Sequence, residues 1–140
     1  MASDKLYVLD TSAVFCLKDD EAGADKVEAI LEAARLKRCK VFISFMTAME
    51  YLYINFSRFG EEAGHKAYLE MTLLPLQIIE SDEELRLIAA ELKAGHDISL
   101  ADAWIAATAK KLNAILVHKD PEFEPLKESI DSLILPYRIG

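Results

Sequence analysis

Short apolar runs at residues 5–9, 41–44, 76–79 and 115–117 alternate along this chain with longer stretches whose apolar side chains recur with helical spacing. That alternation constrains the fold more than any other feature. The short runs read as buried strands, and the longer stretches as helices crossing from one strand to the next. Such a pattern builds a parallel sheet with right-handed crossovers and helices on both faces. A further strand is expected at 133–135. Helices are expected from Thr11 through Leu17, over 24–37 and 46–58, from Gly60 to 73, from a Ser81 cap to 94, and from Ser99 through 111. The expected fold is therefore α/β, a three-layer α/β/α domain with a central, mostly parallel sheet of about four to five strands. One core suffices at 140 residues, and no linker-like stretch divides the chain, so 1–140 reads as a single domain. In open parallel sheets ligands bind at the carboxyl ends of the strands, so the residues that follow each apolar run matter most.

The net charge of −8 argues against a broad basic face for nucleic acid, because phosphate affinity needs clustered Lys and Arg. The objection weakens if part of the acidic excess is a metal site, where divalent ions cancel carboxylate charge. A basic partner would also suit the surplus. Arg35, Lys37 and Arg38 read as charge at a helix C-terminus rather than an RNA-contacting patch. The stretch 1–5 is polar, and no segment approaches the roughly 18 apolar residues of a membrane span, which predicts a cytoplasmic protein without membrane contact. Cys16 and Cys39 lack a CxxC spacing and read as packing residues. His65, His96 and His118 show no zinc-site spacing and read as surface histidines. Met46, Met49 and Trp104 read as core. Tyr51, Leu52, Tyr53, Ile54 and Phe56 are apolar nearly all round their helix, which is either wholly internal or also meets a second chain, as in a homodimer.

Taken singly, the acids have structural explanations. Glu50 follows Thr47 in a T-x-x-E capping box, Asp102 follows Ser99 in S-x-x-D, and Asp120 precedes Pro121 as an N-cap does. Asp10 directly follows an apolar strand, where a turn or cap would account for it. Jointly they are harder to explain, since all four fall near a strand's carboxyl end or a helix's first turn, on one rim of the sheet. Four carboxylates gathered there would repel by about 4 kcal/mol per close pair at an effective dielectric of 20. Raised pKa values are one remedy. A hard divalent cation is the more economical one for a pocket of Asp and Glu alone. Mg²⁺ or Mn²⁺ held in this way suits phosphodiester hydrolysis, polarising phosphoryl oxygens and activating water. Thr11, Ser12 and Ser99 can orient a ligand or a water, although capping is their simpler role. There is no phosphate-binding Gly-rich loop and no G-x-S-x-G elbow.

Val8-Leu9-Asp10-Thr11-Ser12-Ala13 looks like the first motif of the PIN-domain ribonucleases, in particular the VapC-like toxins of toxin-antitoxin pairs. Thr47-Ala48-Met49-Glu50 is similar to their second motif, Ser99-Leu100-Ala101-Asp102-Ala103-Trp104 and its continuation to Ala109 to the third, and Asp120 with Phe123 to the fourth. The resemblance spans essentially the whole chain. It implies that Asp10, Glu50, Asp102 and Asp120 bind metal, that RNA is the substrate, that the protein forms a homodimer, and that a small antitoxin protein blocks the site. Asp10 and Asp102 are expected as the primary ligands. The family commonly has Thr or Ser two residues before the fourth acid, where this chain has His118, and Glu122 is a candidate to supplement or replace Asp120. Two other readings stay open: a processing nuclease with no toxin role, and a catalytically silent domain that binds RNA or protein.

Overall fold

The computed structural model describes residues 5–137, so the polar stretch at 1–5 lies outside the described residues except for Lys5. The strands β1 (Lys5–Leu9), β2 (Cys39–Ser44), β3 (Gln77–Ile79), β4 (Ile115–His118) and β5 (Ser132–Ile134) form a 5-stranded sheet in the order β3-β2-β1-β4-β5. All neighbouring pairs run parallel. The helices are α1 (Thr11–Lys18), α2 (Ala24–Arg35), α3 (Phe45–Phe59), α4 (Glu61–Thr72), α5 (Glu83–Gly95) and α6 (Leu100–Leu112), followed by a short 3-10 helix, Pro121–Leu126.

Strand alternation divides the interior in two. Val8, Phe42 and Leu116 point to one face, where they meet Leu85, Ala89 and Leu92 of α5 and Ala103, Ile105 and Ala106 of α6. Leu9, Val41, Ile43 and Val117 point to the other, against α1, α2, α4 and Tyr51 of α3. The sheet is thus the middle of three layers, as the alternation predicts. Each fully buried aliphatic chain, such as Ile43, Ile105 or Leu116, contributes about 1.5–3 kcal/mol by leaving water.

Chain order positions the site. From β1 the chain steps outward through β2 to β3, then crosses back to β4 on the other side of β1. The carboxyl ends of β1 and β4 therefore border the crevice where the strand order reverses, the usual ligand position in sheets of this type.

Three details depart from expectation. Met49 is 51% exposed, because α3 buries Thr47, Ala48, Tyr51 and Asn55, and Met49 lies off that face. Trp104 and Met46 are half-buried, Trp104 standing edge-on to Phe45 at 5.0 Å. Helix α2 ends at Arg35, so Lys37, with its left-handed φ of 61°, and Arg38 lie beyond the last turn. Cys16 and Cys39 are buried in the core, as expected for packing residues. Gly60, at φ 91°, makes the sharp turn between α3 and α4. Gly64 then lets α4 lie against Phe56, whose ring would be 2.3 Å from an added Cβ.

Candidate functional site

Asp10 continues β1 by donating its N–H to the Val117 carbonyl at 2.9 Å, and then caps α1. Its Oδ2 accepts both the N–H and the hydroxyl of Ser12. The Ser12 Oγ in turn accepts the Lys119 N–H at 3.0 Å, tying Asp10 to the end of β4. Asp10 is only 3% exposed. Burial pushes its pKa up to about 6 against the pull of both Ser12 hydrogen bonds, and the charges of Asp120 and Glu50 add to the rise.

Glu50 lies on α3, which begins earlier than its T-x-x-E pattern suggests. Ser44 is the N-cap, accepting from Met46 N–H at 3.0 Å, so Thr47 is already helical and the capping box does not form. Thr47 is fully buried, with its hydroxyl 3.1 Å from that of Thr11. Thr11 donates its own hydroxyl to Glu50 Oε1 at 2.7 Å. The capping explanation for Glu50 therefore falls, and a side chain on α1 orients it instead.

Asp102 stands in the first turn of α6, its N–H donated at 3.1 Å to Ser99, which is a plain N-cap. Asp120 caps the 3-10 helix, its Oδ1 accepting from Glu122 N–H at 2.9 Å. That turn swings Glu122 back, so that Asp102, Asp120 and Glu122 each present a carboxylate oxygen, all within 4.8 Å of one another. The Asp102 pKa is pushed up to about 8, first by burial, then by a hydrogen bond to Glu122, then by the charges of Asp10, Asp120 and Glu122. Carboxylates crowded in this way favour holding a proton while no cation is bound. Asp102 Oδ2 is buried with no hydrogen-bond partner among the described residues. An orphaned oxygen and a donor set of carboxylates alone fit a hard divalent cation, which would take the place of the proton.

The structure thus gathers Asp102, Asp120 and Glu122 tightly, sets Asp10 within reach of their charge, and sets Glu50 beside Asp10 under the hold of Thr11. Two residues escaped the sequence reading. Thr47 is a buried neighbour of Thr11 rather than a cap. His118 is 2% exposed, not a surface residue. Its parity with Leu116 along β4, two residues before, would have directed it inward. Burial holds the His118 imidazole below its usual pKa, opposed by the charges of Asp120 and Glu124.

Beside the acids runs an open groove of about 690 Å³, lined by Ser12, Phe15, Arg58, Lys119, Asp120 and Tyr137 among others. The cations among its described lining residues are internally paired, Arg58 with Asp19 at 3.1 Å and Lys119 with Glu21 at 3.2 Å. Among the described residues, the lining therefore offers little unpaired positive charge.

Residues 7–128 match the family described as PIN domain. No protein with a curated description matches the chain. Among solved structures, the chain is similar to VapBC2 from Rickettsia felis bound to a DNA fragment from its promoter, with a TM-score of 0.73 and 21% identity over 93% of this chain and 98% of the other. VapBC-1 from nontypeable Haemophilus influenzae gives a TM-score of 0.68 and 23% identity over 92% and 97%. Mycobacterium tuberculosis VapC20, described as a sarcin-ricin loop cleaving toxin, gives 0.67 and 19% over 89% and 95%. At these identities the matches show the fold, and they agree with the five-stranded parallel sheet.

Proposed function

The chain belongs to the PIN domain family, and on that premise we propose that it is a divalent-metal-dependent ribonuclease, the toxin of a toxin-antitoxin pair. The observation that carries the reading is the convergence of Asp102, Asp120 and Glu122 beside Asp10, with a buried Asp102 oxygen left without a partner. Asp10, Asp102, Asp120 and Glu122 would hold Mg²⁺ or Mn²⁺, and Glu50 would complete the site. A bound ion supplies the positive charge that tolerates the cluster, polarises phosphoryl oxygens and activates water.

The remaining work falls to the chain itself. Ser12 fixes the rotamer of Asp10, and Thr11 that of Glu50, so neither acid has to reorganise when a ligand arrives. The N-terminus of α6, with Asp102 in its first turn, favours an anion such as a phosphate. With Arg58 and Lys119 paired, the metal-loaded acids would supply attraction for the RNA backbone beside the groove. The similar solved proteins named VapBC, and the one described as cleaving the sarcin-ricin loop, support an antitoxin partner and an RNA substrate. We place the protein in the cytoplasm, where RNA is found; no helix among the described residues is long and apolar enough to cross a membrane. The partly exposed stripe of Met49 and Tyr53 on α3 supports a homodimer.

The test is cleavage of single-stranded RNA by purified protein with Mn²⁺ or with EDTA. Wild-type protein should cleave only with the metal, and Asp10→Asn should be inactive while retaining its circular dichroism. Metal-dependent cleavage by D10N would remove the assignment.

A further inference from the structure

Resting on the metal-dependent reading above, we infer that His118 is a positioning residue for the acid cluster: its Nδ1 accepts the Asp120 N–H at 3.1 Å and sets the direction in which Asp120 and Glu122 present their carboxylates. The imidazole is buried between two rings, Phe123 at 4.9 Å between centroids and Tyr137 at 6.4 Å, the latter nearly parallel at 28°. Tyr137 is itself held by its hydroxyl, which donates to Glu124 at 2.7 Å. The backbone is fixed as well, since the His118 carbonyl accepts at 2.7 Å from the N–H of Leu135, the residue that follows β5. Packed against both rings, the neutral imidazole turns the lone pair of Nδ1 toward the amide two residues ahead.

The effect passes from that amide into the acids. Asp120, held by its N–H, uses its own Oδ1 to accept from Glu122 N–H at 2.9 Å. Glu122 then carries its carboxyl to within 4.8 Å of those of Asp120 and Asp102. One imidazole nitrogen thus orients two of the three closest acids. A side-chain acceptor two residues before an amide is how Asn and Thr hold turns. A Thr or Ser at this position, the residue expected from the family resemblance, reaches the same amide through its hydroxyl. Packing alone would not require an acceptor, because a phenyl ring fills the same space.

The experiment separates acceptor from ring. H118F keeps an aromatic ring and removes the acceptor, whereas H118N keeps a short acceptor and removes the ring. Mn²⁺ affinity is measured by calorimetric titration of the full chain, amide exchange of Asp120 and Glu122 is measured without metal, and a urea midpoint in EDTA checks each variant's fold. Loss of the orienting partner should weaken Mn²⁺ binding about tenfold in H118F, with faster exchange at both amides, while H118N stays within about twofold of wild type. Wild-type affinity in H118F, or equal losses in both variants, overturns the inference. If wild-type protein takes up no Mn²⁺, the metal reading fails by itself. Amide exchange then decides the positioning role, and unchanged exchange in H118F overturns it.

Discussion

Removing the Asp10 charge should stabilise the metal-free protein. Burial lifts the Asp10 carboxyl from 3.8 to about 6, a span of roughly two pH units, which at about 1.4 kcal/mol per unit is about 3 kcal/mol. The sign follows from where the proton resides. Below 3.8 folded and unfolded chains are both protonated; between 3.8 and about 6 the folded chain keeps a proton the unfolded chain has lost, so stability falls as pH rises, and above 6 the loss is complete. Asp102, raised to about 8, extends the fall to higher pH in the same direction. Asn at position 10 has no charge to bury and keeps an acceptor for the Ser12 N–H, and the charge-assisted part of the Ser12 hydrogen bonds is already contained in the net rise of the Asp10 pKa. The gain for D10N in EDTA at pH 8 is then about 3 kcal/mol, and the advantage over wild type should grow by roughly 1.4 kcal/mol between pH 5 and pH 8. Urea unfolding of both proteins in EDTA at several pH values measures this directly. With saturating Mn²⁺ the order should reverse, because only wild type gains binding energy. A D10N protein less stable than wild type in EDTA at pH 8, or a difference that does not change with pH, would refute the account of Asp10 as a strained buried charge.

Further expectations follow from the same geometry. Mn²⁺ affinity should weaken as pH falls below about 8, by up to tenfold per unit for each displaced proton, and calorimetry in buffers of different ionisation enthalpy should detect the released protons. T11V removes the donor that holds Glu50 at 2.7 Å and should weaken Mn²⁺ binding about tenfold or more with little change in melting temperature; a titration unchanged from wild type would contradict that role. If the stripe on α3 joins two copies, M49E should shift the mass seen by light scattering from dimer to monomer, and a monomeric wild type would dispose of the homodimer. I105A should lower the urea-derived stability by about 2–5 kcal/mol, since Ile105 is fully buried between α5 and the sheet.

Much of this molecule was legible from residue order. The strand ending in Asp10 and the helix opening at Ser99 lie where periodicity and capping place them, because each is bounded by a sharp change from apolar to polar residues. The family resemblance read from four motifs is matched by the PIN domain assignment. Helix starts were less legible where several capping residues compete. Ser44 takes the cap of α3 instead of Thr47, since β2 turns into the helix without an intervening loop, and Asp82 takes that of α5 from the neighbouring Ser81. The network of Thr11, Thr47 and Glu50 escaped sequence reasoning because it joins side chains from two helices, and no local spacing encodes such a contact. His118 is buried because it ends β4 in step with Leu116, a position that outweighs the usual surface preference of histidine. Glu122 gains its place from a 3-10 turn that no hydrophobic period announces.

The reversal of strand order between β1 and β4 bears on how the centre comes into being. Its acids sit on segments that pair only when β4 lies down beside β1, a contact sealed by the bond from Lys119 N–H to Ser12 Oγ across 107 positions of chain. A polypeptide emerging from the ribosome presents Asp10 and Glu50 early, yet these two cannot gather the charge density of the finished crevice until the last third of the sequence has docked. Mutual repulsion among the acids therefore rises only once β4 has paired with β1, and an interrupted translation product ending before His118 lacks Asp120 and Glu122 and is born without a complete centre.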